Sequence, residues 1–160
     1  MKKVICSLFL ASGFFFASSV NAQDYKTGLG VRLSSSQAMV NNSVTLKHFF
    51  NERTAVEALL SFGDPLAIGA MVEIHKPFGE SGIRWFYGGG GYIGFVKSYN
   101  PNTEKNETDA NFGAMGVIGL DYKFANLPLN LSLDWKPELN LITDINLEPA
   151  AIGFSARFTF

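Results

Sequence analysis

Cysteine is almost missing from this sequence: Cys6 is the only one in 160 residues. A disulfide framework and a thiolate metal centre are therefore both excluded. Histidine is nearly as scarce, with His48 and His75 alone, and two imidazoles without cysteine give no metal-ligand spacing. Charge is also thin, at 17% of residues and a formal net of −1. No basic surplus exists to neutralise phosphates, which argues against electrostatically driven nucleic-acid binding. The same balance excludes an acidic or basic disordered tail. Beyond the N-terminus no apolar run approaches the length of a membrane-spanning helix. The length fits one domain rather than two.

What the chain does contain is aromatic and small. Aromatics make up 14%, with 15 Phe, beside 16 Gly. Aromatic side chains favour strands and glycine weakens helices, so the pairing points to β structure.

Residues 1–22 read as a secretory signal peptide. Lys2 and Lys3 give the charged start, Val4 to Ala17 is an uncharged run rich in Phe and Leu, and Val20-Asn21-Ala22 precedes Gln23 as a cleavage site. The run is short for a membrane anchor, and Cys6 stands near its start, badly placed for lipoprotein acylation. Removing 22 of 160 residues leaves 138, with no cysteine. Lys2 and Lys3 leave too, so 11 basic and 14 acidic side chains remain, a net of −3.

Residues 23–160 alternate. Leu129, Leu131, Leu133 and Trp135 interleave with Asn130, Ser132, Asp134 and Lys136, and Pro137, Leu139 and Leu141 continue the apolar face opposite Glu138 and Asn140. Period two puts one set on each face of a strand. Pro137 removes a ladder donor, so pairing should weaken or bulge there. The segment Ile152–Phe160 alternates likewise, as does Phe112–Phe124, where Gly113, Met115, Gly119, Asp121 and Lys123 share a face. Near the start, Tyr25, Leu29, Val31 and Leu33 oppose Lys26, Gly28, Gly30 and Arg32. Four further strands are expected at about Ser43–Phe50, Thr54–Phe62, Leu66–Lys76 and Arg84–Val96. Their faces are less firmly fixed, because a one-residue slip inverts them. Longer polar connections are expected at Ser34–Asn42, Ser98–Asn111 and Thr143–Pro149, with Tyr99–Ala110 as a surface loop.

One face of these strands collects Arg32, Lys47, Glu57, Glu73, Asp121, Lys123, Asp134, Lys136, Glu138 and Arg157. A soluble barrel would turn these charges to water, whereas a membrane barrel would enclose them. Gly28, Gly30, Gly113, Gly119 and Gly153 share the charged face. A narrow interior needs such small residues beside long side chains, and a wet surface does not. The ten charges also balance, as enclosed charges must.

The signal segment, the strand rhythm and the ending Ala156-Arg157-Phe158-Thr159-Phe160 resemble the small eight-stranded outer-membrane β-barrels of the OmpA/OmpX type. The resemblance implies an all-β, eight-stranded antiparallel up-and-down transmembrane β-barrel at 23–160, following a cleaved signal peptide at 1–22. It implies an outer-membrane location, outer-membrane lipids as surroundings, and reading of the Phe160 segment by the barrel-assembly machinery. An even strand count puts both termini on the periplasmic side. No activity carries over with it.

Other motifs have plainer readings. Gly89-x-Gly91-x-x-Gly94 matches a dinucleotide fingerprint in form, but Tyr92, Ile93, Phe95 and Val96 continue a strand where a helix is required. Glu73 and His75 share a face and could form a general base, with Ser61 or Ser132 as nucleophile if either lay beside them. An interior hydrogen-bond network is the simpler reading. Trp85, Tyr87, Trp135, Tyr122, Phe124, Phe158 and Phe160 fit interfacial girdles better than a ligand-stacking surface. The expectation is a barrel with a polar, plugged interior and a structural or surface-interaction role through its loops. No catalytic, cofactor or metal residues are assigned. A membrane-embedded lipid hydrolase, a lipocalin-like soluble binding barrel and a narrow channel remain as alternatives.

Overall fold

The computed structural model describes residues 25–35, 38–62, 65–79, 82–100, 105–142 and 145–160. The expected signal peptide at 1–22 lies outside them. Ten strands run in order: β1 (Thr27–Ser34), β2 (Ser43–Phe49), β3 (Thr54–Ser61), β4 (Leu66–Pro77), β5 (Ile83–Asn100), β6 (Lys105–Lys123), β7 (Leu129–Trp135), β8 (Glu138–Asn140), β9 (Asn146–Glu148) and β10 (Ile152–Thr159). β1 to β6 pair antiparallel in succession, β6 pairs with β7 and β8, β8 with β9, β7 with β10, and β10 with β1, so the sheet closes. β7 and β8 are two pieces of one barrel strand, and so are β9 and β10. The result is a closed eight-strand antiparallel barrel.

Closure leaves no edge strand in the barrel wall, and the pleat decides which side chains are enclosed. On β2, burial alternates strictly from Ser43 to Phe49, with Lys47 enclosed and Leu46 outside. On β4, Glu73 and His75 point in while Ile68 and Val72 point out. Nine of the ten charged residues grouped by alternation are buried, and Lys123, at the end of β6, is half-buried. The outer wall carries Leu29, Val31, Leu46, Leu60, Ile68, Leu120, Leu133 and Phe154, all at least 44% exposed.

Pro137 interrupts the seventh barrel strand without shifting it. Ile118 faces Trp135 and Met115 faces Glu138, so the register against β6 is continuous. The Pro137 carbonyl still accepts from Gly116 N at 3.0 Å. The extra residue falls on the next strand instead. The chain takes four steps from Glu148 to Ile152 opposite three from Trp135 to Glu138. This is a bulge in the region of Pro149, and Trp135 Nε1 donates to the Pro149 carbonyl at 2.5 Å.

Three expectations need correction. Residues Ser98–Asn111 are not a loop: β5 and β6 stay paired up to Asn100 opposite Lys105. β4 supports β5 only as far as Phe95, and β8 supports β6 only from Gly113. The pair therefore runs on as a two-stranded ribbon beyond the barrel, where Thr108, Asp109 and Ala110 are exposed in succession and apolar alternation is lost although the strand continues. Residues 146–148, expected within a connection, form β9. Tyr25 precedes β1 and is buried with Phe49 and Ala55 instead of facing outward.

Candidate functional site

The barrel interior is the only place among the described residues where many charges are enclosed together. Its centre is Glu57 on β3. Arg157 on β10 reaches Glu57 Oε1 through Nη2 at 2.5 Å, and Lys47 on β2 lies 3.2 Å from Oε2. Lys47 also pairs with Glu73 Oε2 at 2.7 Å, and His75 Nε2 lies 2.9 Å from the same oxygen. Arg157 Nε donates to Thr45 Oγ1 at 3.1 Å, and Nη1 donates to Asn130 Oδ1 at 3.2 Å and to Ser132 Oγ at 2.8 Å. Thr45 donates in turn to Glu57, and Asn130 Nδ2 donates to Asp121 at 2.9 Å. Two further pairs stand nearer the loop-bearing end: Arg32 with Asp134 at 2.6 Å, and Lys136 with Glu138.

Glycine makes these reaches geometrically feasible. Gly30 lies in register between Arg157 and Thr45, and a Cβ there would come within 1.9 Å of the Ala156 carbonyl oxygen. Gly153 leaves room for the Arg32 guanidinium, whose Nη2 would be 2.2 Å from a Cβ at that position. Gly113 and Gly119 accept the rings of Tyr92 and Phe86 in the same manner. Small residues thus sit opposite the largest interior side chains, as a barrel of this diameter demands.

The interior is not polar throughout. Val40, Leu59, Ala67, Met71, Phe86, Tyr92, Met115 and Val117 form a buried apolar cluster, with Met39 packed against it. Val40 belongs to the connection after β1, which therefore folds inward. Its amide donates to the Glu138 carboxylate at 3.2 Å, and its carbonyl accepts from Lys136 Nζ at 3.1 Å. At the opposite end, where the first and last strands meet, Tyr25 and Phe49 pack edge to face at 5.2 Å. They floor a half-open depression of about 230 Å³ also lined by Lys26, Phe50, Asn51, Glu52 and Arg84. Burial, with the charge of Asp121 adding, pushes the Tyr25 phenol well above its ordinary pKa, so it stays a proton donor.

The Glu73–His75 contact is real, but the hydroxyls that could complete a nucleophilic site are engaged elsewhere. Ser61 Oγ donates to Asn41 Oδ1 at 3.0 Å, and Ser132 Oγ serves Arg157. His75 is instead sandwiched between Phe49 and Phe86, with ring centroids 4.8 and 5.0 Å away. His48 faces the other way, bonded to Thr27 Oγ1 at 2.9 Å. Between Glu57 and Glu73 the cationic position is filled by the Lys47 ammonium. Gly89, Gly91 and Gly94 lie within strand β5, opposite Gly116, Ala114 and Asn111 of β6, and open no helix. What sequence reasoning missed is the inward turn of Ala38 and Val40, which carry no charge or periodicity to mark them.

No known family profile matches the chain, and no curated protein matches it. Among solved structures, the crystal structure of the N-terminal β-barrel domain of Pseudomonas aeruginosa OprF superposes with a TM-score of 0.61 at 11% identity. The match covers 84% of this chain and 96% of that one. The fold is that of the small OmpA-type eight-stranded barrels.

Proposed function

We propose that this chain is an outer-membrane β-barrel, exported by its N-terminal segment, with a structural or surface-interaction role carried by the end opposite its termini. The observation that supports it most is the inverted polarity of the barrel. Arg32, Lys47, Glu73, Lys136 and Arg157 are enclosed, while Leu33, Ile68, Leu133 and Phe154 stand outside. In water that arrangement would bury charges at a cost of several kcal/mol each while exposing an apolar belt. In a bilayer the apolar belt meets hydrocarbon, and closure satisfies the backbone groups that lipid cannot. The Trp135 bond to Pro149 at the bulge fits the same requirement. The inward connection at Val40 and the Tyr25–Phe49 pair plug the two ends of the interior, which favours a filled barrel over an open pore.

In this reading the turns at 50–53, 78–82 and 124–128 face the periplasm with the termini, and the β5–β6 ribbon projects from the cell. The Phe158–Phe160 ending serves assembly. Ser61 and Ser132 are engaged away from His75, and the role proposed is not enzymatic. Fractionation followed by gel mobility of boiled and unboiled samples in detergent tests the location. An outer-membrane band that shifts on boiling is expected. A band soluble in the periplasm without detergent, and indifferent to boiling, would refute it. Shortening the ribbon between Val96 and Asp109 should then leave the heat shift intact while abolishing surface binding.

A further inference from the structure

We infer that the outer wall of β4, β5 and β6 carries a docking site for one anionic phospholipid of the leaflet nearest the termini, an inference that rests on the membrane reading above. Lys76 points outward at the end of β4. Its ammonium lies 5.3 Å from the Trp85 ring centroid and 5.4 Å from that of Tyr87, two rings stacked on each other. The rings hold the cation but accept none of its three N–H groups as an oxygen would. Among the described residues no carboxylate pairs with it. Among the described residues the surrounding rim has the same sign: Lys26, Arg53, Lys76, Arg84 and Lys123 stand there against Glu52. Among the described residues the opposite end carries the carboxylates of Asp109 and Glu148. A phosphate is complementary to the first end and not to the second.

The wall beyond Lys76 suits the acyl part of such a molecule. Moving away from the rim, the outward residues of β5 are Trp85, Tyr87, Gly89, Gly91 and Ile93. Gly89 lies in register with Val72 and Gly116, and Gly91 with Ala70 and Ala114. These small residues form a shallow trough between the aromatic pair and a row of Ile68, Ile93 and Phe112. Gly91 stands six residues from Trp85, roughly 20 Å along the strand, which is within reach of a long acyl chain whose phosphate rests on Lys76. The headgroup is therefore bound by charge, the glycerol region by the two rings, and one chain by the trough.

Full-length mature protein in detergent, loaded with an equimolar mixture of phosphatidylglycerol and phosphatidylcholine and examined by native mass spectrometry, tests this. Retention of phosphatidylglycerol over phosphatidylcholine is expected. Lys76→Gln should weaken that retention about fivefold, the effect of one basic side chain near a lipid surface. Ala114→Leu should reduce bound lipid of both kinds by filling the trough. Lys105→Gln, at the acidic end, should change nothing. Equal retention of the two lipids, or full displacement by inorganic phosphate, would overturn the inference. The heat shift of each variant is measured alongside. A normal shift with no lipid preference refutes the site and leaves the membrane barrel standing, whereas a chain that needs no detergent refutes both.

Discussion

Replacing Glu57 by alanine removes the carboxylate that both central cations share. Arg157 would lose its 2.5 Å partner and Lys47 its 3.2 Å partner. Lys47 would keep Glu73, but Arg157 would retain only neutral oxygens from Thr45, Asn130 and Ser132. Two buried cations would then share one directly paired carboxylate, Glu73. Breaking a buried ion pair by removing one partner costs about 3–5 kcal/mol. Glu57→Ala should therefore lower the stability of the barrel by about that amount. Denaturant titration of protein refolded into phospholipid vesicles, read by the heat-shifted band and by Trp85 and Trp135 fluorescence, measures it. Removing the orphaned cation at the same time restores the balance, so Arg157→Met with Glu57→Ala should cost less than the two single changes added together. A loss below about 1 kcal/mol for Glu57→Ala, the range of an exposed pair, would refute the reasoning, because the network would then be solvated.

Other expectations follow from individual contacts. Gly153→Val would occupy the space of the Arg32 guanidinium, displacing it from Asp134. A destabilisation of about 1–3 kcal/mol by the same titration is expected, and Leu would be no better. Lys136→Ala removes the donor that holds the Val40 carbonyl and leaves Glu138 uncompensated. The 35–42 connection should then become cleavable by added protease while the barrel still shifts on heating. Leu133→Arg on the outer wall should cost up to about 2–4 kcal/mol in vesicles, the range for a basic residue near the bilayer midplane. An unchanged midpoint would place that face in water.

The barrel was legible in the sequence wherever one face met a uniform medium. Along Leu129–Trp135 and Ile152–Phe160 the contrast between Leu133 and Asp134, or Phe154 and Arg157, fixed both the element and its faces. Glycine beside long charged residues pointed to a confined interior, and Gly153 under Arg32 is the outcome. Legibility failed where the contrast failed. The ribbon beyond Val96 carries polar residues at successive positions, so its strands look like a loop. Leu59, Met71 and Met115 share the inward face with Glu57, Glu73 and Asp121, and period two assigns a direction without saying what fills it. Tyr25 sits outside any strand, so no alternation governs it. The charged cluster was named residue by residue, but its pairings depend on which strands become neighbours around the barrel. The 100-residue separation of Arg157 from Glu57 hides that contact.

The most direct test of the inverted polarity is a set of single-cysteine spin labels. Cys6 is the only cysteine, so a chain beginning at Gln23 supplies a clean background. Labels at Ile68, Leu133 and Phe154 in vesicles should collide more with dissolved oxygen, which concentrates in lipid, than with a water-soluble nickel chelate. Labels at Ile68, Leu133 and Phe154 that prefer the nickel chelate would mean the apolar wall faces water, and the account would be wrong at its centre.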